Sequence, residues 1–307
     1  MTKHESDQPT EKPTKKSRRK LWIIILIIFI ALAVGFIFWL YTGQVTASKQ
    51  DIFCKLPLPV ALVESKHITS KELCERIALA KDLLTEAGQP TDGLETEILG
   101  QLIAARKIEI LAARNNVKPT GEELETAYQA ILKQFPNQDE AALETELQNS
   151  YGLTLNTFKN EVLAQSVIKE NLSLWFNGQE SLNQESYTQA RDLQKQLDEG
   201  ADFNEVARKY TEDEASKPFA GDSGFVAYDD LLPEFQKVVT EMAINDQRLV
   251  ASRYGIHVLK LTAIENGSGS EAIKDKSYNL QQIFIEPNDF NAWLDTQSNN
   301  IRSVQLL

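Results

Sequence analysis

The chain has 307 residues, 42% hydrophobic and 25% charged, ordinary proportions for one or two folded domains with appendages. Its formal net charge is −12 at pH 7, yet residues 1–20 hold seven Lys/Arg against three Asp/Glu and residues 21–41 hold neither, so the acidic excess lies beyond residue 41. An acidic bulk argues against a nucleic-acid partner, which needs basic stripes to neutralise phosphates, and fits a domain kept off an anionic membrane.

Residues 1–20 read as a disordered basic tail with Pro9 and Pro13. Leu21–Tyr41 follows as an unbroken, uncharged and largely apolar run, long enough as a helix to cross the roughly 30 Å hydrocarbon core of a bilayer. Trp22, Trp39 and Tyr41 sit near its ends, and Lys15, Lys16, Arg18, Arg19 and Lys20 precede it. The positive-inside rule therefore places the tail in the cytoplasm and everything after Tyr41 outside, in a single-pass protein of the cell membrane. Val45-Thr46-Ala47 offers a cleavage site, but the apolar run exceeds that of a cleavable signal, so the anchor is expected to stay. Phe53 before Cys54 is too bulky for a lipoprotein site.

Residues 42–55 read as a linker, and Leu56–Glu64 as a loop and short strand. Thr69 with Glu72 predicts a capped helix reaching about Ala87, ended by Gly88 and Pro90. Leu94, Ile98, Leu102 and Ile103 predict a helix over Leu94–Ala113, broken by Lys118-Pro119. Thr120 with Glu123 caps Glu122–Phe135, and helices at Glu140–Leu147 and Leu155–Asn171 complete a helical unit. Cys54 and Cys74 are the only cysteines; a disulfide and two free thiols both remain open, and no Cys/His spacing implies a metal.

The strings VALVESKHITSKEL, ILGQLIAARKIEILAARNNVKPTGEEL and LQNSYGLTLNTFKNEVLAQSVIKENL resemble the helical chaperone module of SurA- and PrsA-type foldases, here over 56–171. From 172 to 264, GADFNEVARKYTEDEASKPFAGDSGF, LLPEFQKVV and SRYGIHVLKL resemble, in order and spacing, the parvulin peptidyl-prolyl isomerases. Together they imply an α+β protein: a transmembrane helix, an α-helical module, and a parvulin-like domain with a small antiparallel sheet flanked by helices. Residues 265–277 then read as a linker. The tail 278–307, strand–helix–strand, is expected to return beside Val60–Glu64 and complete the helical module. Gln281-Gln282-Ile283-Phe284-Ile285 faintly echoes a parvulin first strand.

The resemblance also implies site residues. Leu231 and Phe235, four apart on the helix predicted after Gly221–Gly224, take the Met and Phe places of a proline pocket; Leu for Met nearly conserves volume. Asp213 takes the acidic place, His257 that of the strand histidine, and Ser252 that of the threonine five residues before it. The family's second histidine, in an H-I-L first strand, is missing. Leu172–Phe176 reads as that strand, with Ser173 in the histidine's place on the substrate side. His4 and His67 lie outside this domain, so weakened isomerisation is expected.

Rotating an X-Pro amide crosses roughly 18–20 kcal/mol and needs no nucleophile, only an apolar slot and polar groups that favour the twisted amide. The reading is an isomerase and chaperone for unfolded or proline-containing polypeptides, with no cofactor. The alternatives are a holdase with a degenerate parvulin domain, or a tethered subunit for one partner. Gly221-Asp222-Ser223-Gly224 lacks the Gly-x-Ser-x-Gly spacing of a hydrolase elbow.

Overall fold

A computed structural model describes residues 47–135, 139–266 and 272–306. The basic tail and the apolar run Leu21–Tyr41 lie outside the described residues, as do Val45 and Thr46. Among those described, no helix is long and apolar enough to cross a membrane.

Of the residues read as a linker, 42–55, those described form helix α1 (Ala47–Lys55), and a disulfide between Cys54 and Cys74 joins it to α2 (Ser70–Glu86) across a Cα separation of 5.5 Å. Between them lies a hairpin of β1 (Pro59–Val63) and β2 (Lys66–Thr69). Thr69 caps α2 by accepting from the Glu72 amide, so the chain turns from strand to helix within one residue. Helix α3 (Leu94–Arg114) packs on α2. Next, α4 (Gly121–Leu132) opens on a complete capping box between Thr120 and Glu123, and α5 (Glu140–Tyr151) ends on Gly152 in the left-handed region.

A short turn Leu155–Thr157 and a π-helical stretch Phe158–Leu163 lead directly into α6 (Ala164–Asn177). The strand expected at Leu172–Phe176 is therefore helix. The reason is spacing: Leu172 and Phe176, four apart, are both buried, Leu172 in the module core and Phe176 against Phe290 and Trp293.

The isomerase-like part is built on a four-stranded antiparallel sheet of β3 (Asp222–Ala227), β4 (Gln247–Ala251), β5 (Ile256–Asn266) and β6 (Lys276–Ile285), in the order β3-β6-β5-β4. Helices α7 (Gln184–Asp198) and α8 (Phe203–Tyr210) cover one face through Leu193, Phe203 and Val206 against Ile256, Val258 and Ile283. Helix α9 (Pro233–Val239) covers the other through Phe235 and Val239 against Leu259 and Leu261.

This sheet corrects two sequence-based boundaries. The linker expected at 265–277 is partly strand, since β5 runs to Asn266 and β6 starts at Lys276. The strand Tyr278–Ile285 does not go to the helical module; it lies inside the isomerase sheet, with Ile283 and Ile285 fully buried there. Only the residues beyond Ile285 cross back. Helix α10 (Phe290–Asn299) packs against α3 and α6, and β7 (Ser303–Gln305) pairs antiparallel with β1, Leu62 opposite Val304.

Candidate functional site

In a strand, alternate side chains share a face. On β5 this sends His257 and Leu259 to the α9 side, and β6 sends Leu280, Gln282 and Phe284 the same way, with His257 opposite Phe284 and Leu259 opposite Gln282. Leu231, Leu232 and Phe235 form the facing wall. The segment Glu212–Ala215 and Tyr254 complete a cavity of about 610 Å³. Phe235 meets the His257 ring edge-on at 5.0 Å, and Phe284 tilts against it at 5.2 Å.

Leu231 and Phe235 do not sit one turn apart on a helix. Pro233 takes the first helical position of α9 and holds Leu232 before it out of the helical region (φ −55°, ψ 138°), so Leu231 (φ −70°, ψ 151°) lies ahead of the helix and enters the cavity from the loop. Both are nevertheless buried and line the same cavity as His257.

The polar side of the cavity is a chain of hydrogen bonds. Thr211, buried, accepts from the Phe284 amide at 3.0 Å, and the Glu212 amide donates to the Phe284 carbonyl at 2.9 Å, fixing the Asp213 loop to the end of β6. Asp213 Oδ2 accepts from Ser216 Oγ at 2.5 Å and, at a long 3.5 Å, from Gln282 Nε2. That contact turns the Gln282 amide so that its Oε1 faces His257 Nδ1 at 3.0 Å. Nδ1 must then carry the proton, leaving Nε2 to accept from Ser252 Oγ at 2.8 Å. Ser252 Oγ itself accepts from the Tyr254 and Gly255 amides, so its own proton is free for the ring. Burial pushes the His257 pKa down to about 4, outweighing the Gln282 hydrogen bond and the Asp213 charge, which both raise it. The imidazole is neutral, single in tautomer and fixed in plane.

Asp213, Ser252, His257, Leu231 and Phe235 thus come together. Ser173 does not: it lies on α6, its hydroxyl donating to the Arg253 carbonyl at 2.9 Å, outside the cavity lining. The place beside His257 assigned to Ser173 belongs to Gln282, in the string that echoes the family's first strand. That strand stands here after, not before, the other three of its sheet. Sequence reasoning also missed Tyr254, Leu259 and Phe284. The alternation through Gly255-Ile256-His257-Val258-Leu259 signalled Leu259, and the echo at Gln281–Ile285 could have located Gln282 and Phe284. The lining further holds Glu212, Asp213, Glu214 and Asp230, and no Lys or Arg.

Residues 155–265 match the model of the PPIC-type PPIASE domain, a match that stops before β6 begins. Foldase protein PrsA of Oceanobacillus iheyensis is 22% identical over 222 residues, 67% of this chain and 68% of its own length. Chaperone SurA of Legionella pneumophila is 30% identical over 106 residues, 33% of this chain and 25% of its own. The crystal structure of the peptidylprolyl isomerase PrsA from Bacillus anthracis covers 66% of this chain and 86% of its own, at 16% identity and a TM-score of 0.21, a likeness too loose to bear on the site. Residues 155–265 thus carry a PPIC-type PPIASE domain, and the chain as a whole is similar to the foldases and chaperones PrsA and SurA.

Proposed function

We propose that this chain is a membrane-anchored, extracytoplasmic foldase whose cavity receives proline-bearing segments of unfolded secreted or envelope proteins and speeds rotation about their X-Pro bonds. The supporting observation is one cavity walled by Leu231, Phe235 and Phe284 and closed by the edge of a neutral His257. A planar amide owes its rigidity to charge-separated resonance, which weakens as the bond twists. A slot that holds the proline ring among apolar groups, with the Asp213 carboxylate near the amide, favours the less polarised twisted form. His257 commits both ring nitrogens to Ser252 and Gln282, so it acts as a shaped wall for the ring rather than as a proton donor.

The apolar run Leu21–Tyr41 and its basic flank support the anchor and the outward placement of the acidic bulk, away from nucleic acid. The test is a prolyl-isomerisation assay on the full chain in detergent. Leu231→Ala, Phe235→Ala and His257→Ala are each expected to lower kcat/KM at least tenfold. A second reading is favoured by Gln282 standing where the family has a histidine: a holdase that grips prolyl segments without turning them over. An inactive wild-type chain that still suppresses aggregation of unfolded client overturns the isomerase in favour of that holdase.

A further inference from the structure

Helix α6 belongs to the helical module by one side and touches the isomerase site by another. Leu172 is fully buried in the module core, and Trp175 and Phe176 pack against Trp293 of α10. Glu170, Ser173 and Asn177, spaced three and four apart on a different face, all reach the turn between β4 and β5. Glu170 pairs with the Arg253 guanidinium, Ser173 Oγ donates to the Arg253 carbonyl at 2.9 Å, and Asn177 Nδ2 donates to the Ser252 carbonyl at 2.9 Å.

That turn is where the cavity's polar chain is anchored. Ser252 holds the His257 ring through Nε2, and its amide donates to the Gly255 carbonyl at 2.8 Å. Tyr254 lines the cavity mouth. A Cβ on Gly255 would stand 2.6 Å from the Phe284 ring, so the turn lies hard against a cavity wall. Arg253 reaches in the other direction too, its Nε 3.4 Å from the buried Glu234 beside Phe235. Asn177 is itself buried, and its Oδ1 has no partner among the described residues, a cost that a merely space-filling residue would not carry.

We propose that Glu170, Ser173 and Asn177 are positioning residues of the isomerase: from the helical module, they set the Ser252–Gly255 turn and through it the plane of the His257 imidazole and the place of Tyr254. The proposal rests on the isomerase reading of the cavity, since it names what tunes that site. It makes the helical module part of the catalytic apparatus, and any movement of α6 is felt as a rotation or tilt of one ring.

The test uses the full chain and two readouts: isomerisation of a short prolyl peptide, and the ring nitrogen signals of His257 by NMR. Ser173→Ala combined with Glu170→Gln is expected to lower kcat three- to tenfold with KM little changed, because the slot is intact while its fixed wall is loosened. The His257 nitrogen signals should move away from the pure Nδ1–H tautomer, whereas Ser173→Thr alone, which keeps the hydroxyl and leaves Glu170 in place, should leave both readouts near wild type. Denaturation midpoints, recorded alongside, exclude a folding defect as the cause. If the double variant loses stability but keeps kcat and the ring signals, the contacts only hold two parts together and the proposal is overturned. If the wild-type chain is inactive on every prolyl peptide while the ring signals still respond to the variants, the positioning stands and the isomerase reading falls.

Discussion

His257 is a histidine whose environment removes its ordinary role as a proton carrier near neutrality. With its pKa pushed to about 4 in the folded chain and about 6.5 when unfolded, it favours the folded state fully above about pH 6.5. Between those values the unfolded chain binds the proton that the folded chain refuses, so stability falls as pH drops from 6.5 towards 4. The loss approaches about 3 kcal/mol by pH 4. Denaturant midpoints at pH 7.5 and 4.5 should show this decline, and His257→Gln should flatten it. Activity, by contrast, should stay level across pH 5–8, because the ring does not change charge there. The cavity's four carboxylates make a separate statement about clients. A peptide with Lys before proline should show a KM several-fold below one with Glu there, with the gap closing in 1 M salt. At this scale the sequence was informative wherever a residue type sat at a family spacing, as with Asp213, Ser252 and His257. It misled at Ser173, because the place beside a histidine is set by sheet register, which brings in Gln282 from β6.

Among the elements, the helix starts were legible because capping is local chemistry: Thr69 and Thr120 each accept from an amide three residues on. The misread element, Leu172–Phe176, is short and apolar, and a run of that kind fits either period until its packing is known. Pro233 was a signal left unused; its fixed geometry already excluded Leu231 from the helix. The joint between β3 and β6 depends on one glycine. Gly221 has φ +74°, its carbonyl accepts from the Gln282 amide at 3.0 Å, and an added Cβ would lie 1.9 Å from the Gln282 carbonyl oxygen. Gly221→Ala must therefore push β6 aside. It should cost at least about 2 kcal/mol in equilibrium unfolding and abolish isomerisation, since Gln282 moves with the strand.

Across the whole molecule, the isomerase part is not complete where the family model ends. Strand β6 lies between β3 and β5 and contributes Leu280, Gln282 and Phe284 to the cavity. A chain ended at Asn266 would keep Asp213, Leu231, Phe235, Ser252 and His257 yet leave β5 with an open edge and remove Ile283 and Ile285 from one core cluster and Tyr278 and Leu280 from the other. Such a truncation should show no cooperative unfolding of this domain by circular dichroism and no isomerase activity. A soluble, active fragment would mean that β6 is dispensable. The sequence did not reveal this placement because nothing local in Tyr278–Ile285 says which of two sheets will take it; that choice is made by the burial available to Ile283 and Ile285.

The pairing of β7 with β1 carries one more implication. Residues made early, at Ala61–Val63, wait for a partner encoded far downstream at Ser303–Gln305, with the isomerase sheet interposed. During synthesis, Val60 and Val63 must therefore wait through everything between without their final neighbour, and β1 has only β2 beside it. A folding helper built this way is itself slow to mature: its first sheet is finished only once β7 has been made and has threaded back to β1.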